Sequence, residues 1–294
     1  MLKGYENMER TLEEAKSILK KYNQEHILNG YDNLDENKKQ VLLNQIFDTD
    51  FELIKSLYAN TKKQLDNNDD KIEPMDYMDK FKLNEKYKYY ENIGKDAIKQ
   101  GKLAAVTMAG GQGTRLGHNG PKGTYDIGLD SHKSLFELLA DALKEEGKKY
   151  DVTIPWFIMT SRENNAETVE FFDKHKYFGY QKDKNIFFFI QGELPMVDTE
   201  GKILIGEDGL IKKAADGHGG IYESLVKNGM TEKMRQLGVE WVFIGGVDNC
   251  LVKMVDPVLM GIAIDKKVTV ACKSIVKANP HEKVGVFCKR NGKP

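Results

Sequence analysis

The sequence predicts an α/β protein: a largely parallel sheet covered by helices on both faces, preceded by a helical region. Three features of the 294 residues carry that prediction. From Leu103 onward, short continuous apolar runs recur between segments of helical periodicity, the pattern of strands buried on both faces. The runs are followed by loops rich in glycine, asparagine and aspartate, which right-handed crossovers would gather along one sheet edge. Before Leu103, only helical spacing is found.

In chain order, residues 5–28 place Met8, Leu12, Ala15, Leu19, Tyr22 and Ile27 on one face, with Glu and Lys opposite. Gly30 ends this helix, Asp35 caps a second over residues 36–47, and Asp50 caps a third carrying Phe51, Ile54, Leu57 and Tyr58. His26 reads as a packed helix histidine. The polar run 66–71 and Pro74 read as a flexible connection, and residues 87–100 form a further helix stopped by Gly101. The expected domains are therefore a helical region, 1–101, and a core, 102–294. Strands are expected at 103–108, 156–160, 186–190, 239–244 and 268–272, and helices at 135–146, 165–174, 221–228 and 257–266.

Lys plus Arg (44) nearly balances Asp plus Glu (45), so no global field draws the chain to nucleic acid or to an anionic membrane. No apolar run reaches membrane length and the amino terminus carries no signal-peptide core. Three widely spaced cysteines, Cys250, Cys272 and Cys288, read as reduced core thiols and not as a zinc site. A cytoplasmic protein, monomeric or weakly homo-oligomeric, is expected.

The chemistry concentrates in LAAVTMAGGQGTRLGHNGPK, residues 103–122. A buried strand here delivers a side-chain-poor loop in which Gly110, Gly111, Gly113 and Gly117 let backbone N–H groups approach an anion, while Arg115 and Lys122 add fixed positive charge. No Gly-Lys-Ser/Thr closes the loop, and the glycine spacing fits no dinucleotide fingerprint, which argues against a dinucleotide-dependent oxidoreductase. Other loops at the same edge offer Ser161, Arg162, Asn164 and Asn165 at a helix start. Gln191 has an amide able to read a base edge, and Gly217 and His218 lie in a second glycine loop. Asp248 and Asn249 follow a strand, where a carboxylate can hold a divalent metal that also binds phosphate. No Ser-His or Cys-His nucleophile set is evident. Direct phosphoryl or nucleotidyl transfer, which requires mainly positioning and charge neutralisation, is favoured.

AGGQGTRLG at 109–117, followed by Pro121-Lys122-Gly123, resembles the signature of the eukaryotic-type UDP-sugar pyrophosphorylases. YNQEHIL (22–28), LLNQIFDTDFE (42–52), FFDKHKYFG (171–179), FFFIQGELPMVDTEGKI (187–203), ADGHGGIYESL (215–225), GVDNCLVKMVDP (246–257) and KANPHEKVG (277–285) resemble the same family in the same order. The likeness is greatest to the members specific for N-acetylglucosamine, and it covers nearly the whole chain. It implies a Rossmann-like nucleotidyltransferase fold of glycosyltransferase-A type, with a mostly parallel mixed sheet. The implied reaction joins UTP and a sugar 1-phosphate, with N-acetylglucosamine 1-phosphate first, into a UDP-sugar and pyrophosphate.

By this resemblance Gly110, Gly111, Gly113, Thr114, Gln191, Gly217 and His218 bind the nucleotide. Arg115 neutralises the departing pyrophosphate, Lys122 stands by the α-phosphate, Asp248 ligates Mg²⁺, and Asn249, Glu282 and Gly285 meet the sugar. His218 in a Gly-His-Gly is more similar to the UDP-glucose and broad-specificity relatives, so a UTP-glucose-1-phosphate uridylyltransferase or a broad UDP-sugar enzyme stays open, as does a non-catalytic nucleotide-binding chain. Asn291-Gly292 after the strand-like 284–289 reads as a hairpin turn whose returning strand would lie beyond Pro294. The family continues with further strands, sugar-binding residues, a second phosphate-contacting lysine and a carboxyl-terminal domain. The expectation is that 294 residues alone bind UTP weakly and turn over poorly.

Overall fold

The computed structural model describes residues 10–63 and 70–294, so the expected start of the first helix, at 5–9, and residues 66–69 of the expected flexible connection lie outside the described residues. The chain divides into two compact units: Met1–Asp66 with Glu193–Asp216, and Asn67–Gly192 with Gly217–Pro294. The expected division at residue 101 is not where the packing divides.

In the first unit, α1 (Leu12–Lys21) opens on a Thr11/Glu14 capping box, and α2 (Glu36–Asp48) and α3 (Phe51–Lys62) are capped by the carboxylates of Asp35 and Asp50. The expected single helix to residue 28 instead breaks at Asn23, which adopts a positive φ of 56°, and resumes as a short 3-10 turn at Glu25–Leu28. Ala15, Leu19, Ile27, Leu42 and Ile46 form a core with Ile203 and Ile211. The 193–216 excursion is fixed there by two amide side chains that act as surrogate strands. Gln24 accepts from the Ile203 N–H at 2.9 Å and donates to the Gly201 carbonyl at 2.9 Å. Gln45 accepts from the Ile211 N–H at 2.8 Å. His26 donates Nε2–H to the Ile203 carbonyl at 2.8 Å, which makes it a packed structural histidine.

The second unit carries a four-stranded, all-parallel sheet. After β1 (Ile72–Pro74) and α4 (Glu85–Lys99) come β2 (Leu103–Met108), α5 (Leu135–Tyr150), β3 (Trp156–Thr160), α6 (Asn165–Lys174) and β4 (Ile186–Ile190). β5 (Glu193–Pro195) and β6 (Lys213–Ala215) pair antiparallel within the first unit's excursion. The second unit then resumes with α7 (Ile221–Lys227), α8 (Met230–Gln236), β7 (Trp241–Gly246), α9 (Pro257–Lys266) and β8 (Cys288–Arg290). The sheet order is β4-β3-β2-β7.

Alternation along each strand builds two cores. Leu103, Ala105, Trp156, Ile158 and Ile186 face α4, α5, α6 and α9, while Ala104, Val106, Phe157, Met159 and Phe187 face α7 and α8. Buried Trp156 keeps its polar tip satisfied by donating Nε1–H to Thr107 Oγ1 at 2.8 Å.

Helix α4, assigned from sequence to the amino-terminal region, belongs to this core. A Cβ at Gly94 would lie 1.9 Å from the Pro257 carbonyl oxygen, and one at Gly261 would lie 1.8 Å from that of Tyr90, so α4 and α9 meet backbone to backbone. Gly261→Ala must force the helices apart, an overpacking cost of about 2 kcal/mol or more, read as a lowered midpoint in denaturant unfolding. Asp256 starts α9 by accepting from the Val258 and Leu259 amides at 3.0 Å. Burial alone would raise its pKa, but the Lys273 ammonium and these amides outweigh burial and hold it below the ordinary carboxylate value.

Two expectations fail beyond α9. The apolar run 268–272 makes no strand: Val270 is exposed and the segment joins no ladder among the described residues. Strand propensity without a neighbouring backbone to pair does not make a strand. Of 284–289 only the end is extended, and Cys288–Arg290 pairs antiparallel with Ile72–Pro74, a partner hidden in the expected linker. The Asn291-Gly292 turn forms, with φ of 53° and 78°, closed between Arg290 and Lys293. Cys272 is exposed and Cys250 and Cys288 only half-buried, so they are not core thiols.

Candidate nucleotide site at the carboxyl edge

All the sequence-predicted site residues lie in the second unit. Three elements converge at the edge where β2 lies between β3 and β7, the point at which the strand order reverses and where parallel sheets bind ligands. Ala109 still belongs to the sheet, its N–H donating to the Met159 carbonyl at 2.7 Å. The chain then turns through Gly110 and Gly111 into an excursion closed by Gly113 N–H to Gly120 O at 2.9 Å and Lys122 N–H to Gly111 O at 3.0 Å. Within it Gly117 takes a φ of +69° and ends a short 3-10 turn, Thr114–Leu116. The His118 ring packs on Gly113 and donates Nε2–H to Thr124 Oγ1 at 2.7 Å, whose own hydroxyl donates to the Pro121 carbonyl at 2.8 Å. This loop is a braced hairpin and not a slack strap, and it presents Thr114 and Arg115 to solvent.

Gln191 follows β4, tied by its N–H to the Thr160 carbonyl at 2.8 Å. Its side chain lies against Gly110: a Cβ there would stand 2.6 Å from Oε1 and 2.9 Å from Nε2. The residue is only 9% exposed, yet its amide makes no side-chain hydrogen bond among the described residues. An unspent donor and acceptor over a bare backbone is suited to the edge of a base. Gly110→Ala should therefore displace the Gln191 amide and weaken UTP binding about tenfold or more at unchanged secondary structure, measured by titration calorimetry.

The two cations behave differently. Arg115 is exposed with no ion pair among the described residues. The Lys122 stem passes Gly111 and its ammonium reaches Asp248 Oδ2 at 3.3 Å, with side-chain exposures of 24% and 64%. Asp248 is set by the end of β7, whose Gly246 pairs in register with Met108 of β2. A Cβ at Gly246 would lie 2.8 Å from Asp248 Oδ1. Lysine and aspartate, 126 residues apart in sequence, thus meet between adjacent strand ends.

The remaining predicted residues are not joined to this cluster. Asn249 is exposed beside Asp248, its N–H bonded to Gly246 O at 3.3 Å. The Glu282 carboxylate accepts from Ala278 N–H at 2.7 Å within its own turn, and Gly285 is exposed. Gly217 has a φ of +81° and His218 is exposed at the start of α7. That helix is tied to the end of β4, since Ser224 Oγ accepts from Gly192 N–H at 3.0 Å.

Sequence reasoning missed the main brace of the loop. Asn164, which it placed at a helix start, is fully buried and donates Nδ2–H to the carbonyls of Ala109 at 2.9 Å and Gly111 at 3.4 Å, while Oδ1 accepts from Ser161 N–H at 2.8 Å. No signal in the sequence distinguishes this from a cap.

The profile of the UTP–glucose-1-phosphate uridylyltransferase family matches residues 48–294. The chain belongs to this family. Among its relatives, the Arabidopsis thaliana protein named UDP-N-acetylglucosamine diphosphorylase 2 is 37% identical over 288 residues, covering 92% of this chain and 57% of the relative. UDP-N-acetylglucosamine pyrophosphorylase of Saccharomyces cerevisiae is 40% identical over 245 residues, 82% of this chain and 51% of the relative. The crystal structure of the Trypanosoma brucei uridine diphosphate N-acetylglucosamine pyrophosphorylase superposes with a TM-score of 0.80 at 29% identity, over 98% of this chain and 61% of that one. The chain therefore spans between half and two thirds of the length of these uridylyltransferase-family relatives. No helix among the described residues is long and apolar enough to cross a membrane.

Proposed function

We propose that this chain carries the uridine-nucleotide site of a UDP-sugar pyrophosphorylase and catalyses uridylyl transfer from UTP to N-acetylglucosamine 1-phosphate. The observation that carries the reading is the unbonded Gln191 amide seated on Gly110 at the mouth of the Arg115/Lys122 loop. A phosphate oxygen of the sugar 1-phosphate attacks the α-phosphorus of UTP, the bond from that phosphorus to the bridging oxygen breaks, and pyrophosphate leaves with the electron pair. Lys122 holds the charge that accumulates on the α-phosphate, and Arg115, on the outer limb of the loop, holds the departing pyrophosphate. The sugar preference is supported by the names of the relatives and not by Asn249, Glu282 or Gly285, and a glucose-forming enzyme is the second reading because of His218.

The donor set suits magnesium. No group of three or more His, Cys, Asp or Glu side chains gathers among the described residues, and Asp248 stands as an exposed carboxylate beside the loop. A small hard cation that keeps its waters and takes further ligands from phosphates needs one or two carboxylates and no protein cage. Asp248 would hold Mg²⁺, which when bound neutralises phosphate charge. A cytoplasmic setting fits the three unpaired cysteines.

The test is pyrophosphate release from UTP and Mg²⁺ with a panel of sugar 1-phosphates, for this chain and for a longer form. N-acetylglucosamine 1-phosphate should give the highest kcat/KM. A preference for glucose 1-phosphate favours the second reading, and no pyrophosphate with any sugar from either form overturns both.

A further inference from the structure

We propose that Asn164 is a positioning residue for the nucleotide: from beneath the glycine loop it fixes the peptide planes whose N–H groups receive UTP. The inference rests on the uridine-nucleotide reading and adds a residue that touches no substrate.

A trans peptide unit points its C=O and the following N–H in opposite directions, and no cis bond occurs among the described residues. Asn164 is fully buried and uses its whole amide locally: Nδ2–H donates to Ala109 O and Gly111 O, and Oδ1 accepts from Ser161 N–H. Pulling these two carbonyls inward turns the Gly110 and Gln112 N–H groups outward. Neither donates to any group among the described residues, nor does the N–H between them, at Gly111. Three consecutive backbone donors are thus unspent where Gln191, a residue only 9% exposed, also keeps its amide free of side-chain hydrogen bonds among the described residues. Gln112 Oε1 in the same stretch is likewise buried without a partner.

Gly111 is exposed and Gly110 and Gln112 are half-buried, so these donors are open to solvent and to a ligand. Here the Asn164 amide satisfies the Ala109 carbonyl and shares the Gly111 carbonyl with the Lys122 N–H, which leaves the donors free, the distribution expected for a site that receives the carbonyl and phosphate oxygens of a nucleotide. Glycine alone cannot supply this, because its freedom permits many peptide orientations, and Asn164 selects one at Ala109-Gly110 and, with the Lys122 N–H, one at Gly111-Gln112.

Asn164→Asp keeps the size and the acceptor for Ser161 but replaces the donor by an acceptor facing two carbonyl oxygens. Asn164→Thr, should the aspartate fail to fold, leaves a single hydroxyl donor. UTP binding by titration calorimetry and the thermal unfolding temperature are measured on the wild-type chain and both variants. The expected result is a Kd for UTP raised about tenfold or more in Asn164→Asp and by a smaller factor in Asn164→Thr, on protein still folded at the assay temperature. In an active form, KM for UTP should rise while KM for the sugar 1-phosphate stays unchanged. A variant that unfolds at lower temperature but, while folded, binds UTP as tightly as wild type overturns the proposal and leaves the nucleotide reading standing. Absence of UTP binding by the wild-type chain overturns both.

Discussion

Alanine at Lys122 or at Arg115 should lower turnover with UTP about a hundredfold or more and leave the unfolding midpoint nearly unchanged. A charge-assisted contact made only as charge develops is worth about 3 kcal/mol in rate, which is on the order of a hundredfold. Stability should be spared because the exposed Arg115 makes no ion pair among the described residues, and because Lys122 pairs with a carboxylate that is 64% exposed, where solvent screens the attraction to little net value. The structural part of Lys122 is its N–H bond to Gly111 O, which alanine keeps. The two variants should also differ in kind, Lys122→Ala acting on the step at the α-phosphorus and Arg115→Ala on the stabilisation of pyrophosphate in both reaction directions. Steady-state kinetics in the forward and pyrophosphorolytic directions would show this, and near-normal turnover in both variants would remove the loop cations from the mechanism.

The parts of the fold legible in the sequence are those where one element's own residues decide its state. Leu103–Met108, Trp156–Thr160 and Ile186–Ile190 are strands at the expected residues, because a central parallel strand is apolar on both faces and reads as an unbroken run. β7 begins two residues later than the apolar run, since Trp241 is the residue that pairs with Leu103 in register. What could not be read is what depends on a distant partner. Nothing near Ile203 and Ile211 shows that Leu19 and Leu42 will cover them. Nothing near Gly94 shows that Pro257 will lie against it, so α4 was placed with the wrong neighbours.

The candidate site divides along the same line. Gly110, Gly113, Arg115, Lys122 and Asp248 are visible because anion binding needs bare backbone, fixed cations and a carboxylate, and those residue types stand out wherever the chain leaves a strand. That Gln191 would seat on Gly110, and that Lys122 would reach Asp248, follows from the strand order β4-β3-β2-β7, a property of the whole sheet. Asn164 is the extreme case: asparagine at a helix start has an ordinary local explanation, and only the fold reveals that its amide is turned away from the helix and into the loop.

Replacing Asp248 by asparagine should be as damaging to turnover as loss of either cation, about a hundredfold or more, and should flatten the dependence of rate on Mg²⁺. Asparagine preserves size, so the backbone at the end of β7 has no reason to move, and the change removes one negative charge from beside the loop. That charge faces two demands: its Oδ2 lies 3.3 Å from the Lys122 ammonium, and it is the carboxylate available there for a divalent ion. If both uses matter to the same step, the losses from Lys122→Ala and Asp248→Asn cannot add. The double variant should be less impaired than the product of the single effects, because removing either partner already frees or strands the other. Turnover of the four proteins across a Mg²⁺ titration measures the coupling. Additive losses would mean that lysine and aspartate act on independent steps, and an unchanged Mg²⁺ dependence in Asp248→Asn would place the metal on other groups.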